Sequence, residues 1–186
     1  VGLRGAGRFV HVFHITPPHN DVPILISDGA VNVAPDFETR KVAVEAVIQV
    51  ADAIGLTQPK VAVLSATEEP IASVPSAIAA AELVEWAKAA HPEAMFSGPL
   101  ALDLILSKAS ARIKSRDGDP VTGAADAILV PDIVAGNVLF KALVYLCGGC
   151  AAGVVLGGRA PIVLTSRADP PEARLASLAL ARLLSP

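Results

Sequence analysis

The stretch Ala125-Asp-Ala-Ile-Leu-Val-Pro-Asp-Ile-Val-Ala-Gly-Asn-Val-Leu-Phe-Lys-Ala-Leu-Val-Tyr-Leu146 decides the fold. Residues 127–130 are a short apolar run, the pattern of a buried strand. Pro131-Asp132 stops it, and Ala135-Gly136-Asn137 opens a second apolar run, 138–146, with the length of a helix. Strand, tight polar turn and helix make the repeating unit of an α/β protein. The turn lies at the carboxyl end of its strand, where open α/β sheets bind ligands. N–H groups in a helix's first turn attract anions, and Lys141, four residues after Asn137, shares its helix face. One reading is an anion near Gly136-Asn137 with Lys141 behind it. The other is an ordinary connection in which Asn137 caps the helix, Gly136 permits the backbone and Lys141 is solvated.

The same alternation extends in both directions. Residues 9–15 and 23–26 read as strands of a hairpin, joined by a turn over 16–22 that holds Pro17, Pro18, Asn20 and Asp21. Residues 2–7 read as loose. Asp36 is a good cap for a long helix over 37–54, with Gly55 as its stop. A strand at 60–64 follows, then a helix over 77–90 capped by Ser76, a short strand at 95–96 and a helix over 103–113. Residues 114–123 read as a flexible charged loop. Beyond the opening unit come strands at 151–156 and 161–164 and a last helix over 170–184, Pro being tolerated in its first turn. This alternation predicts an α/β fold: a three-layer αβα arrangement with a mainly parallel sheet and an antiparallel hairpin at one edge.

Composition narrows the function. The chain has 186 residues, 53% of them apolar, a formal charge of −3 and no basic run, which argues against nucleic acid as a partner. Mean hydropathy is +0.55. Residues 142–158 carry no charge, yet Gly148-Gly149 interrupts them, so a helix followed by a strand explains them better than a membrane span. No signal peptide is visible, and Val1 in place of a methionine is expected of a processed chain or a piece of a longer one. Cys147 and Cys150 give no disulfide framework, and a cytoplasmic location is expected. Their spacing is that of redox pairs, but they straddle a helix end and no helix opens after the first. The glycines at 153, 157 and 158 lack the Lys-Ser/Thr ending of a nucleotide loop. His11, His14, His19 and His91 show no metal spacing, since a strand puts His11 and His14 on opposite faces, so no metal is expected.

Thr165-Ser166-Arg167-Ala168-Asp169 is richer. It joins a hydroxyl, a guanidinium and a carboxylate at the mouth of the last helix, and arginine's fork suits phosphate. The alternative is that Asp169 merely caps that helix and Arg167 pairs on the surface.

Together, Pro131-Asp-Ile-Val-Ala-Gly-Asn137 with Lys141, then Ala160-Pro-Ile-Val-Leu-Thr-Ser-Arg167, resemble the phosphate acetyl/butyryltransferases, most closely the butyryl branch. Ser27-Asp-Gly-Ala-Val-Asn-Val-Ala-Pro35, Pro59-Lys-Val-Ala-Val-Leu-Ser65 and Gly98-Pro-Leu-Ala-Leu-Asp103 match in the family's order, over about residues 8–184. The resemblance implies reversible transfer of a short-chain acyl group between CoA and phosphate. CoA and phosphate are substrates, no bound cofactor is needed, and a homodimer is expected. The implied architecture is isocitrate-dehydrogenase-like, two αβα domains with the site in the cleft between them. Residues 1–158 would be the inserted second domain and 159–186 the return segment of the first, whose N-terminal part is absent. By resemblance Ser166 donates to the transition state and Arg167 holds phosphate. The acetyl branch has an aspartate base where this chain has Ala173, so Asp169 or Glu172 is left to substitute. Ser97 also departs from the family, where many members have Asp. Asp28, Asp132, Gly136, Asn137 and Lys141 are expected to bind substrate. The alternatives are a metal-requiring NAD(P)-dependent dehydrogenase of the same architecture, and an inactive CoA-binding or dimerisation fragment.

Overall fold

The computed structural model describes residues 7–17 and 23–185. The expected loose start at 2–6, most of the 16–22 turn, and His19 lie outside the described residues. The elements in order are β1 (Val10–Thr16), β2 (Ile24–Ser27), α1 (Phe37–Ala53), β3 (Lys60–Leu64), α2 (Pro75–Ala90), β4 (Met95–Leu100), α3 (Leu102–Leu106), α4 (Lys108–Ile113), β5 (Ala127–Leu129), α5 (Ile133–Tyr145), β6 (Cys150–Leu156), β7 (Ile162–Val163) and α6 (Pro171–Leu183).

All the strands join one sheet in the order β4-β3-β5-β2-β1-β6-β7. The pairs β3–β4, β3–β5 and β2–β5 are parallel, whereas β1–β2, β1–β6 and β6–β7 are antiparallel. It follows that β4, β3, β5, β2 and β6 run one way and β1 and β7 the other. The hairpin was expected at an edge but lies inside the sheet. The second edge of β1 is taken by β6, which pairs with it from Val10↔Leu156 to Thr16↔Cys150. That coverage explains why β1 is apolar on both faces: Val10 and Val12 enter one core and Phe13 and Ile15 the other. The first core lies beneath α1, α2 and α6 and includes Val44, Val47, Leu83 and Leu180. The second lies beneath α3, α4 and α5 and includes Ile26, Leu104, Ile128 and Phe140. These are the three layers expected.

Several boundaries move for local reasons. Ser76 does not cap α2. Pro75 occupies the first turn, Val74 precedes it without a side-chain cap, and the Ser76 hydroxyl meets that of Ser65 at 3.0 Å. The expected helix over 103–113 is two helices, broken at Ser107, whose hydroxyl accepts from Ser110 N–H and caps the second. The expected two-residue strand at 95–96 runs on to Leu100. The 114–123 loop is pinned at its end, where buried Thr122 donates to the carbonyl of Arg116 and Gly123 N–H donates to that of Leu104. Among the described residues no helix is long and apolar enough to cross a membrane.

Candidate active site

Two clusters contain the candidate residues. The first lies where β2 and β5 end, side by side. Asp28 directly follows β2 and is 4% exposed. Its carboxylate accepts N–H from Ala30 at 2.9 Å, Val31 at 3.0 Å and Asn32 at 3.3 Å, and the Asn32 side-chain amide at 2.6 Å. A carboxylate offers about four acceptor positions, so Asp28 spends its capacity on shaping this loop. Asn32 Nδ2 also donates to the Phe9 carbonyl at 2.8 Å, tying the loop to the start of β1.

The loop rests on α5 through two glycines. A Cβ on Gly29 would lie 2.7 Å from the Gly136 carbonyl carbon, and one on Gly136 would lie 2.6 Å from Gly29 Cα. Backbone touches backbone here, which only glycine allows. Asn137 Nδ2 donates to the Gly29 carbonyl at 3.3 Å. The helix starts earlier than the sequence pattern suggests, so Asn137 is not its cap. Asp132 caps it, accepting from Ala135 N–H at 2.8 Å, and Gly136 N–H is already bonded to the Asp132 carbonyl at 3.1 Å. A carboxylate therefore occupies the helix end where an anion was expected, and it satisfies the same positive dipole.

Arg40 also belongs to this cluster and was missed in the sequence. Its Nε donates to the Pro35 carbonyl and its Nη2 to the Pro131 carbonyl, both at 3.1 Å. Burial lowers its pKa, with Asp132 and then Glu82 opposing the shift. The available signal was its spacing four residues beyond the Asp36 cap, which places it in the first turns of α1 at this end of the sheet. A hollow behind the cluster, lined by Ser27, Asp28, Arg40 and Val63 among others, measures about 10 Å³. A wider hollow of about 520 Å³ opens at the end of β6, lined by Gln49, Asp52, Gly157 and Arg159 among others. Lys141 is not drawn in: it is exposed, with Nζ 5.7 Å from the Phe140 ring centre and 5.8 Å from that of Tyr145.

The second cluster is Ser166, Arg167 and Asp169. Ser166 N–H donates to Asp169 Oδ2 at 2.6 Å and Asp169 N–H to the Ser166 carbonyl at 3.1 Å, closing a small turn before α6. Arg167 is exposed, and its carbonyl accepts from Arg174 Nη2 at 3.3 Å. Glu172 lies exposed in the first turn of α6, whereas Ala173 is buried against the sheet. Ser177, also buried and also missed, donates to the Ala173 carbonyl at 2.8 Å and accepts from Gly153 N–H at 3.0 Å. Because β7 runs opposite to β5, this turn lies at the other end of the sheet from the Asp28–Asn137 cluster. Within this chain the two clusters do not meet.

Among the described residues no group of three or more His, Cys, Asp or Glu is placed to hold a metal. His91 instead bridges Glu45 at 3.1 Å and Glu93 at 3.0 Å. Cys147 and Cys150 are both free and exposed.

Comparison with known proteins follows the same lines. A phosphate acetyltransferase from Rhizobium meliloti is 45% identical over 98% of this chain and 58% of its own length. A probable phosphate butyryltransferase from Bacillus subtilis is 40% identical over 97% of this chain and 60% of its own. A branched-chain phosphotransacylase from Enterococcus faecalis superposes with a TM-score of 0.88 at 35% identity, covering 97% of this chain and 64% of that one. The chain thus spans about three-fifths of the length of these relatives. Both acetyl and butyryl names occur among them, and the dehydrogenase alternative finds no support in these matches. The model of the phosphate acetyl/butaryl transferase family matches residues 2–181, and the chain belongs to that family.

Proposed function

We propose that this chain is part of a phosphate acyltransferase that converts a short-chain acyl-CoA and phosphate into acyl phosphate and CoA, reversibly. The observation that carries this reading is the family match across residues 2–181. In the forward direction a phosphate oxygen attacks the thioester carbonyl, and the tetrahedral oxyanion collapses to expel the CoA thiolate. In reverse, the thiol must first lose its proton. Arg167 is suited to phosphate because it is exposed and charged. The reading assigns the hydroxyl of the preceding residue, Ser166, as donor to the oxyanion. Asp169, already held by Ser166 N–H, or Glu172 in the next turn supplies the base for the thiol.

The Asp28–Asn137 cluster serves as a rigid substrate-binding wall, with half-buried Asp132 and Asn137 at its surface, buried Asp28 and Gly136 shaping it from behind and exposed Lys141 further along the same helix. A site using both clusters needs a surface beyond this sheet. The reading keeps residues 1–158 as a second, inserted domain and 159–186 as the return segment of a first, and the relatives' greater length leaves room for the rest of that first domain. Homodimerisation is supported by the outer face of α5, where Val134, Val138, Tyr145 and Leu146 are all more than 60% exposed. The reading includes a cytoplasmic location and no bound cofactor. Its test is the phosphate dependence of CoA release by a protein of the relatives' full length. Release should require phosphate, and Arg167→Ala should raise the phosphate requirement at least tenfold. Release without phosphate would indicate a thioesterase, and an unchanged requirement would remove Arg167 from the site.

A further inference from the structure

His11 is the titratable group that neither cluster accounts for. Strand alternation puts it on the same face of β1 as Phe13 and Ile15, and it is fully buried. Its ring centre lies 4.0 Å from that of Phe13, which stacks at 4.0 Å on Phe140 of α5. On the other side stands β6, which presents Gly153. A Cβ there would lie 2.9 Å from His11 Nε2, 3.0 Å from its Cε1 and 3.1 Å from the Leu164 carbonyl oxygen. The bare Cα therefore leaves one space into which both the imidazole edge and the Leu164 carbonyl project.

Burial holds the imidazole down to about 4, against the opposing pull of Asp28 and then of the Leu164 carbonyl. At neutral pH the ring is uncharged and carries one N–H. Neither ring nitrogen makes a hydrogen bond of ordinary geometry to a described residue. The two acceptors that act on the ring are not equivalent. Asp28 already receives N–H groups from Ala30, Val31 and Asn32, whereas the Leu164 carbonyl oxygen and Nε2 lie 3.1 and 2.9 Å from the same point, the one a Gly153 Cβ would take. Leu164 leads directly into Thr165-Ser166-Arg167.

The geometry points to His11 as a positioning residue: the imidazole, carrying its hydrogen on Nε2, seats the Leu164 carbonyl and through it fixes the Ser166–Asp169 turn, Gly153 being bare so that they can meet. His11 touches no substrate in this role. It acts through Ser166 and Arg167, and for its effect on turnover it rests on the acyl-transfer reading.

The first test needs no activity. Nitrogen-15 NMR of the imidazole should show the hydrogen on Nε2. Hydrogen exchange of the Ser166 and Asp169 amides should speed up tenfold or more in His11→Phe, which keeps a ring and removes the donor. Amides of β2 and β5 should be unchanged, and His11→Gln, which restores a donor, should recover much of the protection. A hydrogen on Nδ1, unchanged exchange at 166 and 169, equal loosening of β2 and β5, or a Gln variant no better than Phe would each overturn the proposal. If His11→Phe does not fold, the tautomer in the unaltered protein decides. In a protein of full relative length, His11→Phe should raise the phosphate KM more than it lowers kcat, with partial rescue by Gln. An unaltered protein without phosphate-dependent turnover would refute the acyl-transfer reading instead, and the exchange result would still judge His11.

Discussion

Asp132 and Asn137 make the sharpest contrast between neighbouring side chains. Asp132 caps α5 through Ala135 N–H, while Asn137 reaches a carbonyl of the adjoining loop at 3.3 Å. Asp132→Ala should cost about 1 kcal/mol in urea unfolding, the usual worth of a cap. Asn137→Ala should cost about half of that or less. The reverse order would return the cap to Asn137. His11 gives a pH signature. Its folded pKa of about 4 lies below the unfolded value near 6.5. As pH falls through 6.5 the unfolded chain takes up a proton that the folded chain refuses until about 4. Stability is therefore intact above 6.5 and is lost between 6.5 and 4, by about 3 kcal/mol. Melting followed across that window should show the decline, and His11→Phe should reduce it, the remainder including His14, whose pKa burial also lowers. The sequence displayed His11 as one strand residue among apolar neighbours. It could not show the ring meeting Gly153, because that contact depends on the pairing of β1 with β6.

The contact between the Asp28 loop and α5 tests how elements are joined. In a free helix, Gly136→Ala would gain about 1 kcal/mol from propensity. Here the added Cβ would lie 2.6 Å from Gly29 Cα and 2.8 Å from Val130 Cγ2. Overlap with backbone cannot be relieved by a rotamer change and costs roughly 1–3 kcal/mol. The overlap should win, so chemical denaturation should find Gly136→Ala less stable than the parent. A more stable variant would mean that the loop and helix are not in contact. Element types were legible where the period was clear. β3 occupies residues 60–64 as its apolar run indicates, and α1 begins after Asp36 as its cap indicates. The break at Ser107 was not legible, because the apolar pattern continues across it. Nor was the start of α5, because Pro131-Asp132 reads equally as a turn and as a cap.

The direction of β7 matters most for the molecule as a whole. An apolar run marks a strand but carries no orientation, which pairing alone decides. The sequence therefore showed two turns following two strands, and not that they lie at opposite ends of one sheet. The described residues form no single site from both, and the chain spans about three-fifths of the length of its relatives. The exposed apolar face of α5 should join two copies: light scattering should give a dimer mass, and Val138→Asp should shift it toward monomer. An unchanged mass would move the interface elsewhere. The most direct measurement incubates a protein of full relative length with a short-chain acyl-CoA, with and without phosphate, and traps acyl phosphate with hydroxylamine while counting free thiol. Phosphate acyl transfer predicts one trapped acyl group for each CoA released, and neither product when phosphate is omitted. CoA released without phosphate, or without a trappable acyl phosphate, would contradict it.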